Sequence, residues 1–253
     1  VAMGSESVTL YKTEDGGRNW KEILSTSLAN EPPLNAIPLS CYKSSLGFRD
    51  ASTGWVTGSC LSDNVLLEIT SDGGLSWQAQ DLPLPDGLSF GGGLCTPYPP
   101  TFFSPQEGIL QVICETISLS IYHTYDGGQT WEGPAYRSRM MTTSLVDFVD
   151  SNSGWHFASE DVPTNTKGVG FYVTHDGGKT WSEITPIINV SNAYGLPPNQ
   201  LEAIRDFDFI DVEVGWATLD VGYGDYSLML KTNDGGLTWS SWVPRWQNAQ
   251  PRN

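Results

Sequence analysis

Long apolar runs are missing from the 253 residues: no stretch approaches the roughly 18 consecutive apolar residues that a membrane-spanning helix needs. Membrane insertion is therefore not expected. Basic side chains are scarce, 13 Lys and Arg against 29 Asp and Glu, for a net charge of −16. Such a field repels phosphate backbones and anionic lipid surfaces, so nucleic acid is not an expected partner. Histidine occurs only as His123, His156 and His175, without relation to one another, and no Cys-x2-Cys pair, phosphate-binding glycine loop or Ser-His-Asp arrangement can be found. No catalytic residue, metal ligand or cofactor is assigned. The first residues, Val1 to Ser5, lack the basic and apolar regions of an export signal, and 1–6 read as a cloning remnant or a disordered end.

What the chain does hold is glycine (27), proline (16) and aromatic residues, ten of them tryptophan. That inventory favours short strands and tight turns, and all-β is the expected class. One octapeptide recurs five times as Thr-x-Asp-Gly-Gly-x-Thr/Ser/Asn-Trp. The copies carry Asp15, Asp72, Asp126, Asp176 and Asp234, and end on Trp20, Trp77, Trp131, Trp181 and Trp239. A second marker precedes the last four copies: Phe48 with Gly54-Trp55, Phe102 with Gly108-Ile109, Phe148 with Gly154-Trp155, and Phe209 with Gly215-Trp216. The glycine always falls six residues after the phenylalanine. Two markers in phase define a repeating unit.

Each unit reads as four strands: one ends at the phenylalanine, one starts at the Gly-Trp, one runs into the box, and one starts at the box tryptophan. In the last unit these are about 203–210, 215–220, 227–232 and 238–243. Arg205, Phe207 and Phe209 alternate with Asp206, Asp208 and Ile210, as a strand requires. A sheet with two apolar faces must stack on its neighbours, and radial stacking of such sheets is a β-propeller. The expected architecture is four complete antiparallel blades and an N-terminal half blade within one domain at 7–246, followed by a tail at 247–253. Either the blades form a five-bladed ring with one reduced blade, or they are a fragment of a larger ring, whose open edges would allow self-association.

The five boxes resemble the Asp-box, or bacterial neuraminidase, repeat. Combined with the phenylalanine and Gly-Trp marker, the unit is similar to repeats of the photosystem II stability and assembly factor family of propellers. The resemblance covers about residues 7–246. It implies that each box is the turn between the third and fourth strands of a blade, at the rim and away from the central channel.

In such a turn the glycine pair supplies positive φ and the aspartate accepts backbone N–H bonds, so the five carboxylates are expected to lock turns rather than to bind metal. The box tryptophans, each burying about 150–250 Å² for a gross gain of roughly 4–6 kcal/mol, are expected to join blades. Trp242 and Trp246 fall outside the repeat. With Tyr223 and Tyr226 they form the candidate ligand-binding set.

Cys41 and Cys60 occupy sites equivalent to those of Cys95 and Cys114, so each pair faces across the hairpin of strands one and two. Disulfides Cys41–Cys60 and Cys95–Cys114 are expected, each adding about 3 kcal/mol through loop entropy. Paired cysteines point to a secreted, periplasmic or cell-surface protein.

Sialidases share the Asp box, but their three substrate-binding arginines and tyrosine–glutamate nucleophile pair are not recognisable. The nearest match to their Arg-Ile-Pro motif, Phe48-Arg49-Asp50-Ala51, lacks the Ile-Pro, and Arg137, Arg139 and Arg205 are unplaced. For a generic glycoside hydrolase the carboxylate candidates are Asp147, Asp206 and Asp208. The expected function is a non-catalytic extracytoplasmic interaction scaffold with a protein or glycan partner. The alternatives are a sialidase-like glycoside hydrolase and a carbohydrate-binding module. Segments 27–42, 82–100 and 185–201, stiffened by proline, are the loops most able to dock a partner, the alternative being plain connection from blade to blade.

Overall fold

The computed structural model describes residues 7–29, 35–60, 65–84, 95–114, 118–137, 144–161, 167–190, 204–221 and 226–242. Among them every regular element is a β-strand, and the strands form five sheets. No helix is long and apolar enough to cross a membrane among these residues. The chain divides into two compact units, Val1–Met141 and Thr142–Asn253.

The first unit opens with a two-stranded antiparallel ribbon, β1 (Ser7–Lys12) and β2 (Lys21–Ser27). A four-stranded sheet follows in simple sequence order: β3 (Cys41–Phe48), β4 (Gly54–Cys60), β5 (Val65–Thr70) and β6 (Gln78–Ala79). The next sheet holds β7 (Cys95–Pro97), β8 (Thr101–Phe102), β9 (Gly108–Cys114), β10 (Ser118–Thr124) and β11 (Glu132–Arg137). Here the expected first strand is broken into β7 and β8, both paired to β9. Pro99 and Pro100 lie in the gap, and proline has no N–H to give to a ladder.

The second unit contains β12 (Ser144–Phe148), β13 (Gly154–Asp161), β14 (Lys167–Thr174) and β15 (Ser182–Ile184) as one antiparallel sheet. Its other sheet contains β17 (Ile204–Phe209), β18 (Val214–Val221), β19 (Tyr226–Asn233) and β20 (Thr238–Ser241), within a few residues of the expected strands. A fifth member, β16 (Ile187–Asn189), pairs parallel to β20 from a segment expected to be loop. Its Ile188 is buried in the core of this unit and Val190 packs against that core, which accounts for this β-branched segment adopting a strand. The sheet is thus neither four-stranded nor wholly antiparallel.

Both cysteine pairs are disulfide-bonded across directly opposed residues, Cys41–Cys60 on β3 and β4 and Cys95–Cys114 on β7 and β9, with Cα atoms 4.3 and 4.0 Å apart. The hairpin joining strands one and two is fixed by a further regularity of the repeat. Two residues after each marker phenylalanine stands an Asp or Ser, at Asp50, Ser104, Asp150 and Asp211, whose oxygen accepts N–H bonds from the residues two and three positions on. This local acceptor closes the turn before any tertiary contact is needed. The marker glycine then leaves room for the ring: a Cβ on Gly54, Gly154 or Gly215 would come within 2.6 Å of Phe48, Phe148 or Phe209.

Candidate functional site

The five boxes share one geometry. Within each, the threonine hydroxyl donates to the aspartate Oδ1 at 2.8–2.9 Å and accepts the N–H of the second glycine at 2.8–3.0 Å. The residue before the tryptophan gives its N–H to Oδ1 and its side chain to Oδ2, at 2.8–3.0 and 2.5–2.6 Å. This explains why Asn19, Ser76, Thr130, Thr180 and Thr238 all carry a donor. Both glycines of every box have positive φ, from 69 to 95°. Each carboxylate accepts three or more hydrogen bonds from its own turn.

Burial raises the pKa of Asp72, Asp126, Asp176 and Asp234, but hydrogen bonds from the residue four positions on and from the box threonine together outweigh it and hold the four below the ordinary carboxylate range. For Asp15, bonds from Asn19 lead the lowering. A lowered folded pKa means stability present above the unfolded pKa and lost as pH falls through the folded value.

The first box glycine ties this turn to the hairpin of its own unit. Gly73, Gly127, Gly177 and Gly235 donate their N–H to the carbonyls of Ser52, Gln106, Asn152 and Glu213 at 2.8–2.9 Å. The two sequence markers keep phase because they are physically bonded.

Neighbouring sheets are joined at the same place. In the first unit, Trp55 packs on Phe102 with ring centroids 5.2 Å apart, and a Cβ on Gly128 would sit 2.5 Å from the Trp55 ring. In the second unit, Trp155 stacks on Phe209 at 3.6 Å and donates its indole N–H to the Gly235 carbonyl at 2.9 Å. Arg49, the residue once compared with the sialidase motif, gives Nη1 to the carbonyls of Pro105 and Gly127 and lies over the Phe102 ring. It is a staple between sheets.

Gln80 was not anticipated. In four boxes the tryptophan indole donates to the second glycine's carbonyl. At the third, Gln80 from the preceding sheet takes the Gly128 carbonyl with Nε2 at 2.7 Å, and its Oε1 accepts both Trp55 and Trp131. A lone glutamine outside both markers gives no sequence signal.

The box tryptophans are not equal. Trp77 and Trp239 are 1% exposed and Trp131 is 5%, whereas Trp20 is 61% exposed. Among the described residues no hairpin covers it. Trp20 borders a hollow of about 320 Å³, lined also by Leu10, Tyr11, Ile23, Leu46 and Phe48. An adjoining hollow of about 490 Å³ adds Glu14, Asp15, Asn19 and Lys21.

Of the candidate ligand set, Trp242 is exposed and donates its N–H to the Met229 carbonyl, prolonging the edge of the last sheet. Tyr226 begins β19 opposite Val221. Tyr223 and Trp246 lie outside the described residues, as do Arg139 and the parts of the candidate loops at 30–34, 85–94 and 191–203.

Among the carboxylates, Asp147 on β12 accepts the Phe209 N–H at 2.6 Å. Burial, with a contribution from the charges of Asp208 and Asp206, raises its pKa despite that bond. Arg205 is paired with Asp220 at 2.6 Å rather than with these acids. No group of three or more His, Cys, Asp or Glu placed to hold a metal occurs among the described residues. His175 is exposed, while His156 is fully buried and its pKa is lowered to about 4 by that burial.

Glu68 on β5 is 5% exposed, and burial pushes its pKa up to about 7. The folded chain then holds a proton that the unfolded chain releases, so stability falls between about pH 4.5 and 7 and is level above. Glu68→Gln is expected to raise the melting temperature by roughly 3–6 °C at pH 8 and to leave it unchanged at pH 4, as read by thermal scans at the two pH values.

The family model described as BNR/Asp-box repeat matches residues 172–183, the fourth box and its flanks. No curated protein matches the chain by sequence. Among solved structures, one described as YCF48 bound to D1 peptide is 18% identical, with 79% of this chain and 80% of that one covered and a TM-score of 0.33. A putative exo-beta-1,3-galactanase from Bifidobacterium bifidum s17 is 11% identical, with 95% and 83% covered and a TM-score of 0.46. A GH74 enzyme of Niastella koreensis is 14% identical at a TM-score of 0.39; the alignment takes in 93% of this chain but only 43% of that one. With one octapeptide and one hydrogen-bond scheme at all five places, the chain is built on the BNR/Asp-box repeat.

Proposed function

We propose that the chain is a non-catalytic interaction scaffold, its sheets arranged as the blades of a β-propeller, that works outside the cytoplasm and binds a polypeptide partner. The observation that carries this reading is the contrast between spent acids and open aromatics. All five box carboxylates are consumed inside their own turns, while Tyr11, Trp20, Leu46 and Phe48 are about half exposed or more around one hollow. Exposed aromatic surface of this kind is what a partner covers. Two disulfides that staple neighbouring strands favour an oxidising compartment.

A glycoside hydrolase is the second reading, favoured by the raised pKa of Asp147 beside Asp206 and Asp208. A panel of fluorogenic glycosides run alongside a glycan array separates the two. The scaffold reading expects no hydrolysis above the buffer rate and no glycan retained. Turnover that Asp147→Asn abolishes would replace it with the enzyme, and retention on the array that Trp20→Ala abolishes would replace it with a carbohydrate-binding module.

A further inference from the structure

We propose that Glu68 is a proton-operated latch: with its carboxyl protonated the ribbon β1–β2 lies closed on the sheet β3–β6, and loss of that proton lets the ribbon open while the rest of the first unit stays folded. Such a device goes beyond the scaffold reading and holds whatever partner the scaffold binds.

The repeat puts Glu68 two residues before a box threonine, where the other complete units carry Tyr122, Tyr172 and Leu230. Tyr122 and Leu230 are fully buried, so a carboxyl stands at a place built for an apolar or aromatic side chain. Directly opposite Glu68 lie Val56 on β4 and Ala79 on β6. Val56 belongs to the cluster that holds Leu24 of β2, as does Leu66, which shares a face of β5 with Glu68, and Val8 and Leu10 of β1 pack against that cluster. Glu68 therefore sits, 5% exposed, on the face that the ribbon covers.

Among the described residues no charge on the elements packed there pairs with it. The segment 35–40 brings Ile37 into the cluster and carries no titratable group. On the ribbon, the Lys12 ammonium lies beside Gly73, and Glu22 is exposed. On β3, Lys43 donates to the Cys41 carbonyl at 2.7 Å, and Asp72 beyond the end of β5 is taken up by its own turn. Burial alone thus sets the raised pKa of Glu68.

The ribbon is also the sheet least tied to its neighbour. Elsewhere a polar side chain reaches a main-chain group across the joint: Arg49 to Pro105 and Gly127, Gln80 to Gly128, Trp155 to Gly235, and Asp147 to Phe209. Among the described residues no hydrogen bond crosses from β1–β2 to β3–β6. Apolar contact holds the ribbon, and two strands on their own are marginal in water. A bare carboxylate in that seam is costly, and opening returns it to water. The closed form has the higher pKa, about 7 against the ordinary 4.5, so closure is fully favoured below about pH 4.5 and weakens as pH rises to about 7.

Hydrogen exchange of the whole chain at pH 5 and pH 8, read by mass spectrometry and corrected for intrinsic rates, follows the opening. Protection of the β1 and β2 amides is expected to fall at least about tenfold from pH 5 to pH 8, while that of β9 and β10 changes by less than about threefold. Glu68→Gln is expected to keep ribbon protection at pH 8 within about threefold of its pH 5 value, and Glu68→Leu, which copies the residue at 230, gives the same readout where the glutamine variant folds poorly. Equal ribbon protection at the two pH values, a fall that the substitutions do not remove, or a fall shared equally by β9 and β10 would overturn the latch.

Discussion

Replacing Trp155 by alanine is expected to lower the melting midpoint of the second unit by roughly 10 °C. The indole is 1% exposed, stacks face to face on Phe209 at 3.6 Å, and donates to the Gly235 carbonyl at 2.9 Å. Deleting a buried tryptophan typically costs about 3–5 kcal/mol, and each kcal/mol moves the midpoint of a domain this size by about 2–4 °C. Here the loss also strips the cover from the joint between two sheets, and it leaves the Gly235 carbonyl without its donor. Trp155→Phe keeps one aromatic ring against Phe209 while removing the N–H and part of the indole's buried area. Its expected shift is less than half as large. Trp20→Ala is the matched control: the same residue type at 61% exposure should move the midpoint by about 1–2 °C at most. Differential scanning calorimetry of the three variants checks the ordering. Equal shifts for Trp155→Ala and Trp20→Ala would show that burial at the joint does not set stability.

How much of this could be read from the residues differs from place to place. The strands of the last sheet were legible because Phe207 and Phe209 alternate with acids and the markers set their ends. The pairing of four cysteines was legible because the repeat puts Cys41 and Cys95 at one equivalent position and Cys60 and Cys114 at another. The acceptor two residues after each phenylalanine was equally available in Asp50, Ser104, Asp150 and Asp211 but was passed over, since a serine in one copy hides a shared role. Gln80 could not have been found. Its work is to replace the Trp131 indole at a carbonyl from another sheet, and nothing local marks it. Arg49 shows the opposite error, in which a residue noticed for its likeness to a catalytic motif turns out to bind two backbone carbonyls and an aromatic face. The exposure of Trp20 required tertiary information too: the octapeptide around it matches the others, and only the absence of a covering hairpin among the described residues sets it apart. The parallel addition of β16 was missed because a three-residue strand has no period to detect.

The site followed the same division. Motif spacing located the box aspartates and assigned them to turns, and the bonds to Thr, Gly and the penultimate residue give that role its physical content. Spacing could not say which surfaces are left over, because a free sheet edge and an uncovered phenylalanine are properties of what fails to pack.

The central claim is that the Asp-box carboxylates lock their own turns and hold no metal ion. Thermal melting of Asp72→Ala, Asp126→Ala, Asp176→Ala and Asp234→Ala, each with and without millimolar calcium, tests it most directly. Each substitution removes the acceptor of at least three hydrogen bonds within its turn, as for Asp176 with the Thr174 hydroxyl and the Thr180 N–H and hydroxyl. Discounted for solvent access to the carboxylates, the loss is about 2 kcal/mol, or roughly 4–8 °C. The expected result is a drop of that size in all four variants, with or without calcium, and a smaller one for Asp15→Ala at the half unit. Unchanged melting in the four variants, or a calcium-dependent rise in the parent chain that these substitutions remove, would contradict the account.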